Sequence, residues 1–168
     1  MSCDEILDVV SKEDKVIKKE KRSVIYQQKL HFRVINAFIC NSEKKLWIPR
    51  RHPDKKLFPL YLDCSVGGHV MSGEDYETAF IRETQEELNI DITKINFKKV
   101  ARLTPFTHGT SAFMWVYIIY SNDVPAFNKN DFVEYYWLKP NEVSIRLMNG
   151  DKAKSDLLPI LKEIEGKL

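Results

Sequence analysis

Residues 68–90 read GHVMSGEDYETAFIRETQEELNI, and this stretch decides the predicted fold and the predicted chemistry. Three of its glutamates, Glu83, Glu86 and Glu87, fall within one narrow sector of a helix that turns by about 100° per residue. Carboxylates crowded in this way repel one another unless a cation lies among them. Oxygen ligands suit Mg²⁺ or Mn²⁺, which most often serve phosphate chemistry. The first hypothesis is therefore a metal-dependent enzyme that acts on a phosphorylated substrate.

The ends and the packing face of this helix are also predicted by its sequence. Its apolar flank consists of Phe80, Ile81 and Leu88, on a sector away from the acids. Ser72 is the predicted N-cap, with Asp75 as its capping-box partner. Asn89 follows the last apolar residue and can adopt the left-handed conformation that ends a helix. The stretch thus predicts one helix face for packing and one acidic face for chemistry.

The acids belong to a longer string of residues at fixed spacing. A glutamate-rich helix face alone is usually solvated surface, whereas the full string resembles the Nudix box, G-x5-E-x7-R-E-U-x-E-E-x-G-U, in which U is an aliphatic residue. The matching residues are Gly68, Glu74, Arg82, Glu83, Glu86, Glu87 and Ile90. Thr84 stands where an aliphatic residue is usual and Asn89 replaces the last glycine, but neither change removes a metal ligand. On these residues the sequence is identified as a member of the Nudix family.

The resemblance implies an α/β fold, the Nudix α/β/α sandwich, with a mixed β-sheet and a catalytic loop-helix-loop. It implies a single Nudix domain over residues 1–168, in which residues 1–30 form an N-terminal hairpin and a basic segment and residues 68–90 form the Nudix box. The implied activity is hydrolysis of a diphosphate linkage in a nucleoside diphosphate derivative or another organic diphosphate. The implied cofactor is Mg²⁺ or Mn²⁺, and the implied partner is a small-molecule diphosphate.

The resemblance also implies roles for individual residues. The expected metal ligands are Glu83, Glu86, Glu87 and the carbonyl of Gly68. Arg82 is expected to orient the acids with its planar fork, and a surface ion pair is the alternative. One of the glutamates of the box, or Glu134 on a later strand, is expected to activate water. Asp131 competes with Glu134, for which an outward-facing position on the strand is the alternative.

A basic cluster before the motif supplies candidates for binding the diphosphate. These candidates are Arg50, Arg51 and Lys55, and a solvated loop is the alternative. His69 is a further candidate, either as a ligand of metal or phosphate or as a hydrogen-bonding partner of the loop. For His31 a structural role is favoured. The aromatic residues Phe106, Phe113, Trp115 and Tyr117 are either a stacking surface for a ring or, more often in such cases, part of the core.

A second resemblance concerns the branch of the family. The stretches LHFRVINAFI, WIPRRHPDKKLFP and DCSVGGHV resemble the isopentenyl-diphosphate isomerases, whose proton-transferring cysteine aligns with Gly67. Cys64 lies too early for that role, and glycine cannot replace an acid or base. Because the acids of the box are intact, we prefer a hydrolase similar to the isomerase-like bacterial Nudix hydrolases. The alternatives are an isomerase-like enzyme and a Nudix-fold binding module without turnover.

Composition limits the class of protein. The chain has 168 residues, of which 43% are hydrophobic, and a formal net charge of +2. This balance gives no strong signal for nucleic-acid binding, and no apolar run has the length of a membrane span. The N-terminus has acids where a signal peptide is basic, so we expect a cytoplasmic protein. Cys3, Cys40 and Cys64 predict reduced thiols without a zinc site, and a homodimer is left open.

Hydrophobic periodicity predicts the order of the elements. A small hairpin is predicted at residues 6–10 and 15–18, followed by a basic stretch at 19–29 that fits a helix or a third strand. Further strands are predicted at 33–40, 44–48, 62–66, 96–103, 112–120 and 132–138. Residues 50–61 are a predicted loop, Gly67 and Gly68 a predicted turn, and 141–148 and 154–165 predicted helices.

Overall fold

The computed structural model describes residues 4–168 and shows strands and helices alternating along the chain. The strands are β1 (Ile6–Val10), β2 (Val16–Lys21), β3 (Arg33–Cys40), β4 (Leu46–Arg51), β5 (Val66–His69), β6 (Phe97–Leu103), β7 (Phe113–Tyr120) and β8 (Phe132–Leu138). The helices are α1 (Arg22–Gln28), α2 (Tyr76–Leu88), α3 (Pro105–His108), α4 (Pro140–Met148) and α5 (Leu157–Ile164), with 3₁₀ turns at Ile92–Lys94 and Glu165–Lys167.

The central sheet is mixed and has the order β6-β7-β3-β4-β8, with β5 also paired to β3. β3 runs parallel to β7 along its whole length and antiparallel to β5. It pairs with β4 only at Cys40 and Leu46, so β4 and β5 share one edge of β3. The chain before β5 bridges these two strands, since Asp63 N donates to Pro49 O at 3.0 Å. This divided edge places the start of the motif beside the β4 strand.

Helices cover both faces of the sheet because side chains of a strand alternate between its faces. On one face, Phe80 of α2 stacks on Tyr117 of β7 with ring centroids 4.1 Å apart. On the other face, α5 packs its buried side chains against Phe38 and Val116 of the sheet. The core is therefore two apolar layers separated by the sheet, and the predicted α/β/α sandwich with a mixed sheet is confirmed.

The N-terminal segment forms a separate two-stranded sheet, β1 and β2, as predicted, followed by α1. Leu7 and Ile25 are fully buried in a third apolar cluster with Phe32. The hairpin docks on the loop before α2, where Ser72 N donates to Ile6 O at 2.9 Å. The basic stretch at 19–29 is therefore the end of β2 and the short helix α1.

Three local predictions around the motif are wrong. Gly67 and Gly68 lie in strand β5 and not in a turn, because they pair with β3. The N-cap of α2 is Asp75, whose side chain accepts from Thr78 N at 2.7 Å, whereas Ser72 uses its hydroxyl to donate to Asp8. Ile81 is 41% exposed and does not pack. The predicted end of the helix is confirmed, since Asn89 has the left-handed φ of 54°.

Arg50 and Arg51 belong to β4 and not to the predicted loop, because β8 pairs along the whole of β4.

Of the three cysteines, Cys3 lies outside the residues that the structure describes. Cys40 and Cys64 are free thiols and are buried. None of the helices within residues 4–168 has the length and apolar character that a membrane span requires.

Candidate functional site

The acidic face of α2 lies against the backbone of β5. Gly67 N donates a hydrogen bond to Glu87 Oε2 at 3.0 Å. A Cβ on Gly68 would lie 2.0 Å from Glu83 Oε1. Glycine at position 68 therefore lets the Glu83 carboxylate approach the strand closely, and any other residue there would displace it.

Arg82 makes hydrogen bonds to three segments of the site. Its Nε and Nη2 donate to Glu74 at 2.8 and 2.9 Å, and its Nη1 donates to Glu83 Oε1 at 2.7 Å. Nη2 also donates to the carbonyl of His69 at 3.0 Å. The hydrogen bonds from Arg82 lower the pKa of Glu74, which is therefore a charged partner of the guanidinium. One side chain thus ties the helix, the loop before it and β5 to each other.

The carboxylates of Glu83 and Glu87 are electrostatically strained. Burial raises the pKa of Glu83 to about 7 although Arg82 donates to it. Burial also raises the pKa of Glu87 well above its usual range, and the charges of Glu83, Asp63 and Asp131 add to the effect. Glu86 is different, because its side chain is 59% exposed and lies 3.6 Å from Arg82 Nη1. A cation between these carboxylates would favour their ionised forms.

The donor set suits a hard divalent ion, because it consists of carboxylates and peptide oxygens. Within residues 4–168 the structure shows no preformed group of three or more acidic, histidine or cysteine ligands. The reason is local, since Glu83 is turned to Arg82 and Glu87 to Gly67 N. The residues fit the ion by the chemistry of their donor atoms, and the Glu83 oxygen that would bind it accepts from Arg82 in this structure.

Asp131 and Glu134, the two later acids, occupy different surroundings. The charge of Asp131 contributes to the raised pKa of Glu87, and Asp131 forms an ion pair with Lys55. Glu134 lies opposite Arg50 in the β4–β8 ladder, where Tyr136 Oη and the Arg50 guanidinium donate to it and lower its pKa. Asp131 is thus among the charges that act on Glu87, whereas Glu134 is held in the network of Arg50.

The predicted substrate-binding cations are engaged by acids. Arg50 binds Asp151 with both terminal nitrogens, at 2.8 and 2.9 Å. Arg51 Nη1 donates to Asp63 Oδ2 at 2.7 Å and its other nitrogens donate to the carbonyls of residues 57 and 58. Asp63 lies close enough to Glu87 to raise its pKa, so Arg51 is near the acids whereas Arg50 belongs to a separate network.

The histidines have structural partners. The two ring nitrogens of His69 contact Tyr26 Oη at 2.7 Å and Glu5 Oε2 at 3.1 Å. His69 therefore joins β5 to the N-terminal segment, through α1 and the residue before β1. The ring of His31 lies edge-on to Phe106, with centroids 5.0 Å apart. The core assignment holds for Phe113 and Tyr117, which are 1% and 0% exposed.

Sequence reasoning missed Asp63, Lys154 and Tyr26. Asp63 is buried, with 6% of its side chain exposed, and Lys154 Nζ lies 3.3 Å from its Oδ1. No local pattern marks Lys154, because it reaches Asp63 from the other end of the chain through the pairing of Leu62 with Ala153. Asp63 itself was the available sequence signal, because an aspartate inside an apolar stretch needs a charged or hydrogen-bonding partner.

Comparisons with known proteins agree with this geometry. The model of the NUDIX domain matches residues 30–159. An uncharacterized Nudix hydrolase of Nostoc sp. is 51% identical over 159 residues, which is 94% of each chain. A Nudix hydrolase of Deinococcus radiodurans is 44% identical, over 95% of this chain and 93% of its own. The crystal structure of DR0079 from Deinococcus radiodurans superimposes with a TM-score of 0.88 at 43% identity, covering 94% of this chain and 98% of that one.

Proposed function

This chain belongs to the Nudix hydrolase family, and we propose that it hydrolyses the diphosphate linkage of a small organic diphosphate with Mg²⁺ or Mn²⁺ as cofactor. The substrate class includes nucleoside diphosphate derivatives. The observation that carries the proposal is the approach of Glu83 and Glu87 to the backbone of Gly67 and Gly68. It puts two largely buried carboxylates against the backbone of β5, where a divalent ion would compensate their charge.

The residues that would hold the ion are Glu83, Glu86, Glu87 and the carbonyl of Gly68. When bound, the ion supplies charge neutralisation of the diphosphate and a lower pKa for coordinated water. Arg82 keeps Glu83 and the His69 carbonyl in fixed orientation through its hydrogen bonds. Asp131, which pairs with Lys55 and whose charge acts on Glu87, is our candidate for the group that accepts a proton.

An isomerase is less well supported by the residues present. Cys64, the nearest thiol, is 3% exposed, and burial raises its pKa well above the usual range. Its Sγ faces Asn36 Oδ1 at 2.9 Å and does not point into open space. A buried, protonated thiol is a poor proton shuttle. A binding module without turnover need not retain all the acids of the motif, whereas Glu83, Glu86 and Glu87 are all present here.

The test is a panel of nucleotide sugars, dinucleotides, nucleoside triphosphates, cofactor diphosphates and isoprenoid diphosphates, assayed with Mg²⁺ and with Mn²⁺. We expect release of phosphate or of a nucleoside monophosphate. Glu87→Gln is expected to lower kcat by at least about a hundredfold. Glu77→Gln is the matched control, because Glu77 is an exposed acid on the same helix. Double-bond migration without phosphate release, or ligand affinity without turnover, would contradict the proposal.

A further inference from the structure

The N-terminal segment, residues 4–28, precedes the part of the chain that matches the domain model, which begins at residue 30. It nevertheless contacts residues 69–76, which run from the end of β5 to the start of α2 (the connecting segment). Three of its acids, Glu5, Asp8 and Asp14, make these contacts at three successive points. The connecting segment contains Glu74 of the motif, so the N-terminal acids act on a part of the candidate site.

At the β5 end of the connecting segment, the ring of His69 has a partner on each nitrogen. Its Nδ1 lies 3.1 Å from Glu5 Oε2, and its Nε2 lies 2.7 Å from Tyr26 Oη. The carbonyl of the same histidine accepts from Arg82 Nη2 at 3.0 Å. The charge of Glu5 is also one of the causes of the raised pKa of Glu83. His69 therefore links the N-terminal segment to the arginine that binds Glu83.

In the middle of the connecting segment, Asp8 accepts two hydrogen bonds from the turn before α2. Ser72 Oγ donates to Asp8 Oδ1 at 2.7 Å, and Gly73 N donates to Oδ2 at 3.3 Å. An isolated antiparallel bridge between Leu7 and Met71 lies beside these contacts. Asp8 is 8% exposed, so little water can replace a lost donor, and loss of one is costly for a charged group. Asp8 therefore fixes the turn in one position.

At the start of α2, Asp14 joins Tyr76 to the central sheet. Tyr76 Oη donates to Asp14 Oδ2 at 2.9 Å. Arg33 Nε of β3 donates to Oδ1 at 2.6 Å, and Arg102 Nη2 of β6 donates to Oδ2 at 3.0 Å. The Asp14 side chain is 8% exposed. Donors from one helix and two strands thus meet at the turn of the hairpin, which fixes the hairpin against the sheet.

We propose that the N-terminal hairpin positions the connecting segment for binding of the divalent ion, with Asp8 as the main positioning residue. The inference rests on the proposed function, because it concerns the same site. Asp8 acts closest to the motif, since the turn that it binds immediately precedes Glu74. Arg82 donates to Glu74 at 2.8 and 2.9 Å and to Glu83 at 2.7 Å. A shift of the turn therefore moves the guanidinium, and with it the Glu83 carboxylate that would bind the ion.

The test compares Asp8→Asn and Ser72→Ala with Glu13→Gln in the full chain. Asparagine keeps the size of aspartate but has one acceptor oxygen fewer, and Ser72→Ala removes the donor of the same contact. Glu13 is the matched control, because it is an exposed acid of the same hairpin that accepts from Ser11 within the hairpin. Calorimetry measures the affinity for Mn²⁺. Amide hydrogen exchange of the metal-free protein measures the protection of residues 69–76.

We expect Asp8→Asn to bind Mn²⁺ about three- to thirtyfold more weakly, a part of the loss that a hydrogen bond to a charged group entails. Exchange in residues 69–76 should become at least about tenfold faster, with exchange in β3 and β7 unchanged. The Mn²⁺ concentration at half-maximal rate should rise by the same factor as the Mn²⁺ dissociation constant, and KM for the diphosphate at saturating Mn²⁺ should not change. Ser72→Ala should act in the same direction, and the double variant should be less than additive because both changes remove one contact. Glu13→Gln should leave all these quantities unchanged.

The outcomes separate this inference from the proposed function. If the wild type hydrolyses a diphosphate and Asp8→Asn and Ser72→Ala bind Mn²⁺ as tightly as Glu13→Gln, the positioning role is wrong and the hydrolase stands. If the wild type cleaves nothing in the panel but Asp8→Asn loses Mn²⁺ affinity and local protection, the positioning role stands and the hydrolase is wrong. A wild type that does not bind Mn²⁺ overturns the positioning role. Equally faster exchange in β3 and β7 also overturns it, since the hairpin would then act on the whole fold. Ser72→Ala decides the question if Asp8→Asn does not fold.

Discussion

Gly68 and Glu83 approach each other so closely that a Cβ on the glycine would lie 2.0 Å from the carboxylate. The contact joins β5 to α2 at an acid whose pKa is raised by burial to about 7. It explains the first residue of the motif by space and not by backbone conformation, because Gly68 has an ordinary extended φ.

Gly68→Ala is expected to destabilise the protein by about 1–3 kcal/mol, because the methyl group forces Glu83 out of its position. Activity should fall as well, since the same acid is a proposed metal ligand. The measurement is urea unfolding with and without Mn²⁺. Gly166→Ala is the matched control, as no atom lies within 4 Å of a Cβ there. Equal stability of the two variants would show that the helix can retreat from the strand at no cost.

In the metal-free protein, the raised pKa values predict a stability that falls with increasing pH. A carboxyl whose folded pKa is raised contributes most below its unfolded pKa and loses that contribution as pH rises. For Glu83 the window runs from the ordinary 4.5 to about 7, and Glu87 acts in the same direction. With a chelator present, we expect Glu87→Gln to have a higher Tm than the wild type at neutral pH and the same Tm at the acid end of the window.

Addition of Mn²⁺ is expected to reverse this order, because the ion stabilises the ionised acids of the wild type and finds fewer ligands in Glu87→Gln. Differential scanning fluorimetry across this pH range measures the Tm of both proteins, once with chelator and once with Mn²⁺, and so checks the order of Tm values and its reversal. A wild-type Tm that does not respond to Mn²⁺ would contradict the metal assignment.

Local patterns predicted the parts of the fold that depend on neighbours in sequence. β3 and β8 occupy the predicted ranges 33–40 and 132–138, and Asn89 ends α2 as predicted. The errors arise where a segment distant in sequence determines the local structure. β4 extends to Arg51 because β8 pairs with it, and Ser72 is drawn away from capping by Asp8 of the hairpin. Neither the pairing of β8 with β4 nor the contact of Asp8 with Ser72 can be deduced from the residues adjacent to Arg51 or Ser72 in the sequence.

The site shows the same division. The glutamates of the box and Arg82 are set by helical spacing and were predicted together. Asp63 and Lys154 meet because the chain between α4 and α5 forms an isolated bridge with Leu62, in the segment before β5. Arg50 was grouped with Arg51 as a phosphate ligand, but alternation along β4 sends the two side chains to different acids.

The Arg50–Asp151 ion pair predicts a stability that rises with pH, opposite in sign to the effect of Glu83 and Glu87. Hydrogen bonds from Arg50 lower the pKa of Asp151 to about 2, against 3.8 as the ordinary value. Its stabilising contribution is therefore present above pH 3.8 and is lost as pH falls towards 2. We expect Asp151→Asn to lose about 2 kcal/mol at neutral pH, the equivalent of this shift. The difference from wild type in urea unfolding should shrink on acidification, and a difference independent of pH would show that the pair contributes through packing alone.

The choice between Asp131 and Glu134 as the acid that assists the glutamates of α2 follows from their partners. Both acids have cationic partners, Arg50 for Glu134 and Lys55 for Asp131, but it is the charge of Asp131 that contributes to the raised pKa of Glu87. We expect Asp131→Asn to lower kcat by about ten- to a hundredfold, as loss of a proton acceptor does, and Glu134→Gln to lower it by less than about threefold. Both variants keep the size of the side chain, so single-turnover assays compare the chemistry directly. If Glu134→Gln is the more severe variant while its Tm is unchanged, the strand acid is the base, and Asp131 serves only to hold Lys55.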